Sequence, residues 1–349
     1  MSLLTNDQPK QVTTRDIARH AGVSQSTVSR ALAGDEAISE KTREHVLAIA
    51  IQLNYANPRS STTKALKSKR TRVVGVVVAA LHNSFYTYLL ERLHDELAVA
   101  GYSIVLMIDP FENSEDLSKL QVLLDKMLDG VVFTTATVNS AAVQFLHDQG
   151  VPIVLVVRSV RTPDVDVVES DNFMAGKEAA EHLLGLGHTR IGFVMGPNDT
   201  STSLQRFQGA SDALSNHAIQ VDPNLCIWGR YSHGAGYSGV LSLSRINKPP
   251  TAIICGNDVI AIGALDAAKK HGIKVPEDLS IIGFDDIAMA GWATIQLTTI
   301  RQSIDEMAAL AARRMLERIR SPKDLPARRD VLPASLVQRA TTAPPKHCA

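Results

Sequence analysis

The sequence predicts an all-α helix-turn-helix head joined to an α/β body of two doubly wound parallel-sheet lobes. Three observations predict it. Residues 16–32 place two short amphipathic stretches around an Ala-Gly turn. From Val73 onward, short Val/Ile-rich runs alternate with longer amphipathic stretches, the arithmetic of repeated βαβ units. At 349 residues the chain is too long for one typical domain, so it should divide into two or three. The expected divisions are a loose arm (1–12), the helical head (13–58), a basic linker (59–71), the two-lobed body (72–341) and a short tail (342–349).

Composition narrows the class. With 45% hydrophobic and 21% charged residues the chain is globular. Its net charge of zero hides a division: residues 1–72 hold twelve Lys/Arg against six Asp/Glu, and the remainder holds 24 against 30. A basic head on an acidic body points to a polyanionic partner for the head alone. Three widely spaced cysteines, Cys226, Cys255 and Cys348, offer neither a disulfide framework nor a metal-ligand spacing. The first residues carry no apolar signal-peptide core and no window reaches eighteen apolar residues, so a soluble, cytoplasmic protein without membrane contact is expected.

In the head, Thr13 stands three residues before Asp16, a capping-box spacing that opens the first helix, 16–20. Gly22 suits a turn needing positive φ. Ser24 suits the cap of a second helix ending at Leu32. A third helix, 39–52, carries Val46, Ile49, Ala50 and Leu53 on one stripe, enough to close a three-helix core with Ile17, Ala21, Val23, Val28 and Leu32. That leaves Gln25, Ser26, Ser29 and Arg30 on one outward face. Such a face fits phosphate oxygens and base edges in a DNA major groove. A helical cap on an enzyme would share the bare pattern.

The residues Thr13, Asp16, Ala18, Ala21-Gly22-Val23-Ser24 and Thr27-Val28-Ser29-Arg30 go further, with Leu53-Asn54-Tyr55 after the third helix. This stretch resembles the DNA-binding head of the lactose-repressor (LacI/GalR) family of bacterial transcription regulators. The resemblance implies that Gln25 and Ser26 set operator preference and that Arg30 makes a base contact. Ser24, Thr27 and Ser29 then suit phosphate oxygens, with Thr13, Tyr55 and Arg59 among the DNA-contacting residues. The segment 59–72 holds six basic residues and no acid. The resemblance makes it a hinge helix ordered on DNA, with Leu66 as the wedge entering the minor groove. Tyr55 and Leu66 are eleven residues apart, where relatives have nine, and Asn57-Pro58 inverts the usual pair.

In the body, strands are expected at 73–78, 104–108, 131–133, 153–157, 191–195, 225–228, 252–255 and 280–284. Helices are expected at 86–100, 114–128 and 140–149. Scattered matches, among them Leu186-Gly187-His188, Asn257-Asp258, Gly283-Phe284-Asp285-Asp286 and Leu297-Thr298-Thr299, carry the same family resemblance to about residue 341. It implies lobes like those of periplasmic sugar-binding proteins and three passages of the chain between them. The segment after about Leu297 should thus return to the first lobe. A small-molecule effector would lie in the cleft, gripped by Asp285, Asn257 and Arg206, with Phe85 and Gln302 at matching cleft positions. Asp and Asn can each hold polyol hydroxyls. Val157 stands where many relatives carry Asp or Asn, and Arg158 follows, so an effector with an anionic group, such as a sugar acid, is expected.

Other readings are weaker. Residues 234–239 form a nominal G-x-G-x-x-G with Asp258 about twenty residues on, but Gly229–His233 separate the glycines from the strand, so a nucleotide-dependent enzyme is disfavoured. Asp285-Asp286 lacks a nucleophile or metal set beside it, and no catalytic residue, metal or cofactor is expected. An exported solute-binding protein would explain the body and not the head. The C-terminal residues show no heptad, so a homodimer is expected on a near-palindromic double-stranded operator. The whole reads as a repressor controlled by a sugar-like or sugar-acid-like effector.

Overall fold

The computed structural model describes residues 12–32, 35, 37–53, 71–79, 81–108, 128–321 and 325–346. The expected hinge with Tyr55, Arg59 and Leu66, the expected helix at 114–128 for all but its last residue, and Cys348 lie outside the described residues. The chain divides into two compact units, Met1–Thr71 and Arg72–Ala349.

The first unit contains α1 (Thr14–Ala21), α2 (Gln25–Leu32) and α3 (Glu40–Gln52). Asp16 accepts hydrogen bonds from the Thr13 amide at 2.8 Å and hydroxyl at 2.7 Å, fixing the start of α1. Gly22 takes φ 65° at its end, a conformation glycine adopts without a Cβ penalty. Ser24 Oγ accepts from the Thr27 amide at 3.1 Å. Ile17, Ala21, Val28, Ala31, Leu32, Val46 and Ala50 form the core, with Val23, Ile49 and Leu53 packed against it. The helix starts match the sequence expectation to within two residues.

The second unit has two six-stranded sheets. The first lobe contains β1 (Val73–Val78), α4 (Ser84–Val99), β2 (Ser103–Ile108), β3 (Gly130–Phe133), α5 (Ala141–Asp148), β4 (Ile153–Val156) and β5 (Asp166–Ser170). The second contains α6 (Asn172–Gly185), β6 (Ile191–Met195), α7 (Ser201–Asn216), β7 (Cys226–Trp228), α8 (His233–Ser244), β8 (Ala252–Cys255), α9 (Asp258–Lys270), β9 (Ser280–Asp285) and β10 (Thr298–Gln302). Then α10 (Ile304–Arg320) and β11 (Arg329–Leu332) return to the first lobe, and β12 (Ala334–Val337) joins the second. The sheet orders are β11-β5-β4-β3-β1-β2 and β12-β10-β9-β8-β6-β7. The strand pairs are parallel except β10 with β12. Strand cores such as Val74–Val78 and Ile153–Val156 are buried, as sheets covered on both faces require.

Among the described residues the chain passes between lobes three times. Each passage is a single residue between two elements: Asp171, Ser303 and Pro333. They lie side by side, since the Asp171 amide donates to the Leu332 carbonyl at 2.8 Å and Ser303 Oγ to the Pro333 carbonyl at 3.5 Å. The return to the first lobe thus comes at Ser303, later than expected: 298–302 stay in the second lobe, because β10 pairs with β9 and β12. Strands β5, β10, β11 and β12 were not among those expected.

Two helix pairs depend on glycine. A Cβ on Gly176 would meet the Arg206 carbonyl, and one on Gly209 the Phe173 carbonyl, so α6 and α7 pack backbone to backbone. Gly236 and Gly263 do the same for α8 and α9. Gly239 lies against Val194 of β6. The nominal G-x-G-x-x-G therefore sits in α8, where Gly236 and Gly239 serve close packing.

Candidate functional site

On the head, Gln25, Ser26, Ser29 and Arg30 are all exposed along α2, as are Thr13 and Ser24, while Thr27 is half-buried. Gln25 is held toward α1: its amide donates to Thr14 Oγ1 at 3.0 Å and accepts from Arg15 Nε at 3.4 Å. Ser24 Oγ shares hydrogen bonds with Ser26 at 2.7 Å and Thr27 at 2.8 Å. Arg30 donates to Asp35 at 2.7 Å, with 53% of its side chain exposed. An exposed pair of this kind is worth little, so the guanidinium can exchange its partner at small cost. Ser29 completes the face. These side chains present donors and acceptors with little rearrangement of the core beneath them.

In the body, side chains from both lobes converge at the carboxyl ends of the strands, where open α/β sheets bind ligands. A cavity of about 20 Å³ lies there, lined by Asn83, Phe85, Tyr86 and Val157 of the first lobe and by Thr202, Arg206, Tyr231, Asn257 and Asp285 of the second. That is room for about one water molecule. A sugar-sized ligand requires the lobes to part.

The second-lobe wall is a charged network. Arg206 is positioned by the Gly176 contact, which fixes its backbone against α6. Its Nε donates to Asn172 Oδ1 at 2.9 Å and its Nη1 to the Gly256 carbonyl at 2.7 Å. Its Nη2 lies 3.5 Å from Asp285, and the guanidinium sits over the Phe284 ring. Gln302 Nε2 donates to Asp285 at 2.7 Å, and Ser170 Oγ donates to Gln302 Oε1 at 2.7 Å. Gln302 therefore ties a cleft carboxylate to the end of β5, beside the first passage. Asn257 caps α9 by accepting from the Ile260 amide at 3.0 Å, and it also hydrogen-bonds Asp285.

Burial raises the Asp285 carboxyl to about 6, against the pull of Arg206, Gln302 and Asn257. Burial likewise pushes Asp258 well above the ordinary carboxylate range, aided by the nearby Asp285 charge. Asp258 accepts from Thr299 Oγ1 at 2.5 Å and the Ile287 amide at 3.0 Å, which pins the loop after β9. Asp286 faces elsewhere, held by Arg301 and Arg339 at 2.6 Å each, so the two adjacent carboxylates diverge. Val157, Asp285 and Asp286 all have left-handed φ, at 74°, 112° and 53°. Such strain concentrates at functional sites, and for a β-branched Val it is an outlier.

Five of the six residues singled out for the cleft from sequence converge on it: Phe85, Arg206, Asn257 and Asp285 line the cavity, and Gln302 stands directly behind Asp285. Arg158 does not line it. Its Nη1 donates to the Thr135 carbonyl at 2.9 Å, the guanidinium lies over the Tyr231 ring, and it hydrogen-bonds Tyr86. Arg158 thus braces the wall, and the expectation of an anionic ligand loses its direct contact. Sequence reasoning missed Asn83, Tyr86, Thr202 and Tyr231. Tyr231 Oη shares hydrogen bonds with Thr202 at 2.8 Å and Ser203 at 2.6 Å. A systematic look at the segments from each strand end through the first turn of the next helix would have included Asn83, Thr202 and Tyr231. Burial raises the Cys226 thiol to about 11 and Cys255 still higher, which leaves neither reactive. Among the described residues no cluster of His, Cys, Asp or Glu has the arrangement of a metal site, and no helix is long and apolar enough to cross a membrane.

A three-helix head with an exposed reading face and a two-lobed body with an interlobe cavity define a class of ligand-responsive DNA-binding proteins. Residues 13–57 match the family model for bacterial regulatory proteins of the lacI family, and 180–342 match the periplasmic binding protein-like domain. The HTH-type transcriptional regulator DegA of Bacillus subtilis is 33% identical, covering 96% of this chain and 99% of that one. The ribose operon repressor of Escherichia coli K12 is 30% identical over 89% and 94%. A CelR–cellobiose complex superposes with TM-score 0.72 at 28% identity, covering 95% and 99%. A ribose-bound regulator from Enterococcus faecium gives 0.69 at 29%, covering 78% and 100%. The chain belongs to the lacI family of bacterial regulatory proteins and is a DNA-binding transcriptional regulator.

Proposed function

We propose that this protein is a cytoplasmic homodimeric repressor whose operator affinity is set by a sugar or sugar-acid-like molecule bound between the lobes. The observation that carries the reading is the convergence of Phe85, Arg206, Asn257 and Asp285 from both lobes on one interlobe cavity. Asp285, Asn257 and Arg206 would hold hydroxyls, and Gln302 would orient Asp285. The cellobiose and ribose bound by two solved relatives make carbohydrates the first candidates. On the head, Arg30, Gln25 and Ser26 would read bases, while Thr13, Ser24, Thr27 and Ser29 would hold phosphates. Tyr55, Arg59 and Leu66 are proposed contacts by family resemblance. The role is binding and not catalysis, because the adjacent carboxylates Asp285 and Asp286 diverge and each is engaged in ion pairs or hydrogen bonds.

Operator fragments selected by the protein from random DNA should be near-palindromic, bound by one dimer each, and bound more weakly as salt rises. Sugars and sugar acids that raise the melting temperature should change operator affinity by about 5–150-fold, with an equal reciprocal change in sugar affinity. Sugar binding without any change in operator affinity would overturn the effector reading.

A further inference from the structure

Arg30 does not stand free on the reading face. Its Nε donates to Asp35 Oδ2 at 2.7 Å, while among the described residues Nη1 and Nη2 have no partner. Those two terminal nitrogens form the edge of a guanidinium that fits O6 and N7 of a guanine. Exchanging Asp35 for DNA costs little, but this geometry makes the exchange unnecessary. The carboxylate takes one side of the fork and leaves donors at its end.

Asp35 is itself a fixed point. Its Oδ1 accepts from the Ala37 amide at 2.9 Å. Its own amide donates to the Arg30 carbonyl, and its carbonyl accepts from the Ile38 amide, both at 3.1 Å. Arg43 on α3 donates to that same carbonyl through Nη2 at 2.9 Å, and to Glu40 through Nη1 at 3.0 Å. The carboxylate is thus anchored to α3 and meets the side chain of the last turn of α2.

The helices themselves do not require an acid there. The start of α3 has its own cap, since Ser39 Oγ accepts from the Thr42 amide at 3.2 Å. Asp35 lies beyond the C-terminal end of α2, where the helix dipole disfavours a negative charge. Its ion pair with Arg30 is exposed, so it adds little to stability. A carboxylate beside a face that meets phosphates also repels DNA. These costs make sense if the carboxylate sets the direction of Arg30, because a long side chain ordered before binding loses less freedom on binding.

We propose that Asp35 is a positioning residue for operator recognition, holding the Arg30 guanidinium by one side so that its free edge selects guanine. This rests on the reading of Arg30 as a base contact and deepens it.

The test uses the full chain as wild type, Arg30→Ala, Asp35→Asn and the double variant. Each is titrated with the selected operator and with operators in which every base pair of the half-site is replaced in turn. Asp35→Asn keeps an oxygen for the Ala37 amide and removes the charge that holds Arg30, so the melting temperature should not change. Affinity for the selected operator should fall about tenfold, with guanine preference lost only at the position that Arg30→Ala also relaxes. In the Arg30→Ala background, Asp35→Asn should leave base preference unchanged. If Asp35 merely competes with DNA for Arg30, Asp35→Asn should instead tighten binding to every sequence, and that result would overturn the proposal. So would a loss that is equal at all positions or that persists without Arg30. If Arg30→Ala relaxes one position and Asp35→Asn relaxes none, the positioning role falls alone. If Arg30→Ala relaxes no position, the base-contact reading falls with it.

Discussion

On the head, Gln25, Ser26, Ser29 and Arg30 all stand in solvent, whereas in the cleft Arg206 and Asn257 are 3% exposed and Asp285 and Gln302 are 5% exposed. The head's polar groups make short local contacts that can be exchanged for DNA. Those of the cleft are locked into one network running from Ser170 through Gln302, Asp285 and Arg206 to Asn172. The head should therefore tolerate substitution at its working residues without losing its fold, while the cleft should not.

The largest expected effect breaks the network. Arg206→Ala leaves the Asp285 carboxylate buried without its cation, at a cost of about 3–5 kcal/mol. Chemical denaturation of the body should show it, and a loss under 1 kcal/mol would mean that Asp285 is already compensated elsewhere. Next comes Arg30→Ala. Operator affinity should fall by about 1–3 kcal/mol with relaxed preference at one base position, while the melting temperature stays unchanged. A matching fall in stability would erase the contrast between the two regions.

A third effect, of similar size, is a pH response. Asp285 titrates at about 6 when folded, against about 3.9 unfolded. Its raised value favours the fold fully below pH 4, and that contribution fades as pH rises through 6. Relative to Asp285→Asn, the wild-type body should lose up to about 3 kcal/mol between pH 4 and pH 7. Effector affinity should move oppositely, because the ionised carboxylate is the better hydroxyl acceptor. Below pH 6 it should weaken by up to about tenfold per pH unit. Calorimetric titrations at pH 5 and pH 7 with identical affinities would show that Asp285 does not accept from the ligand.

The same contrast explains what the sequence made legible. The head's site is contiguous, so the cap at Thr13, the turn at Gly22 and the outward face of α2 could all be read locally. The cleft is gathered from both lobes. Asp285 and Asn257 were found because strand ends could be located, but Tyr231 lies on the loop after β7 and Thr202 in the first turn of α7, each several residues beyond its strand. Strands β5 and β10 escaped notice because they are partly polar. Asp166 of β5 is paired by Arg318, Thr299 of β10 donates to Asp258, and Ser170 and Gln302 join each other across the lobes. Their polarity is satisfied by partners distant in sequence, which no hydrophobic periodicity can reveal. Arg158 misled for a related reason: it adjoins the cavity in the chain but turns its charge to Thr135 and Tyr86.

Asp171, Ser303 and Pro333 stand abreast, each a lone residue between regular elements. Three such joints in a row constrain two stiff bodies much as hinge pins constrain a door. Sliding and twisting are suppressed and one rotation remains soft. Whatever parts or closes the lobes acts along that rotation, so a ligand's binding energy is not dispersed among many motions. A small angular change at the cavity becomes a larger linear displacement at the far end of the first lobe, with the row of three residues as the fulcrum.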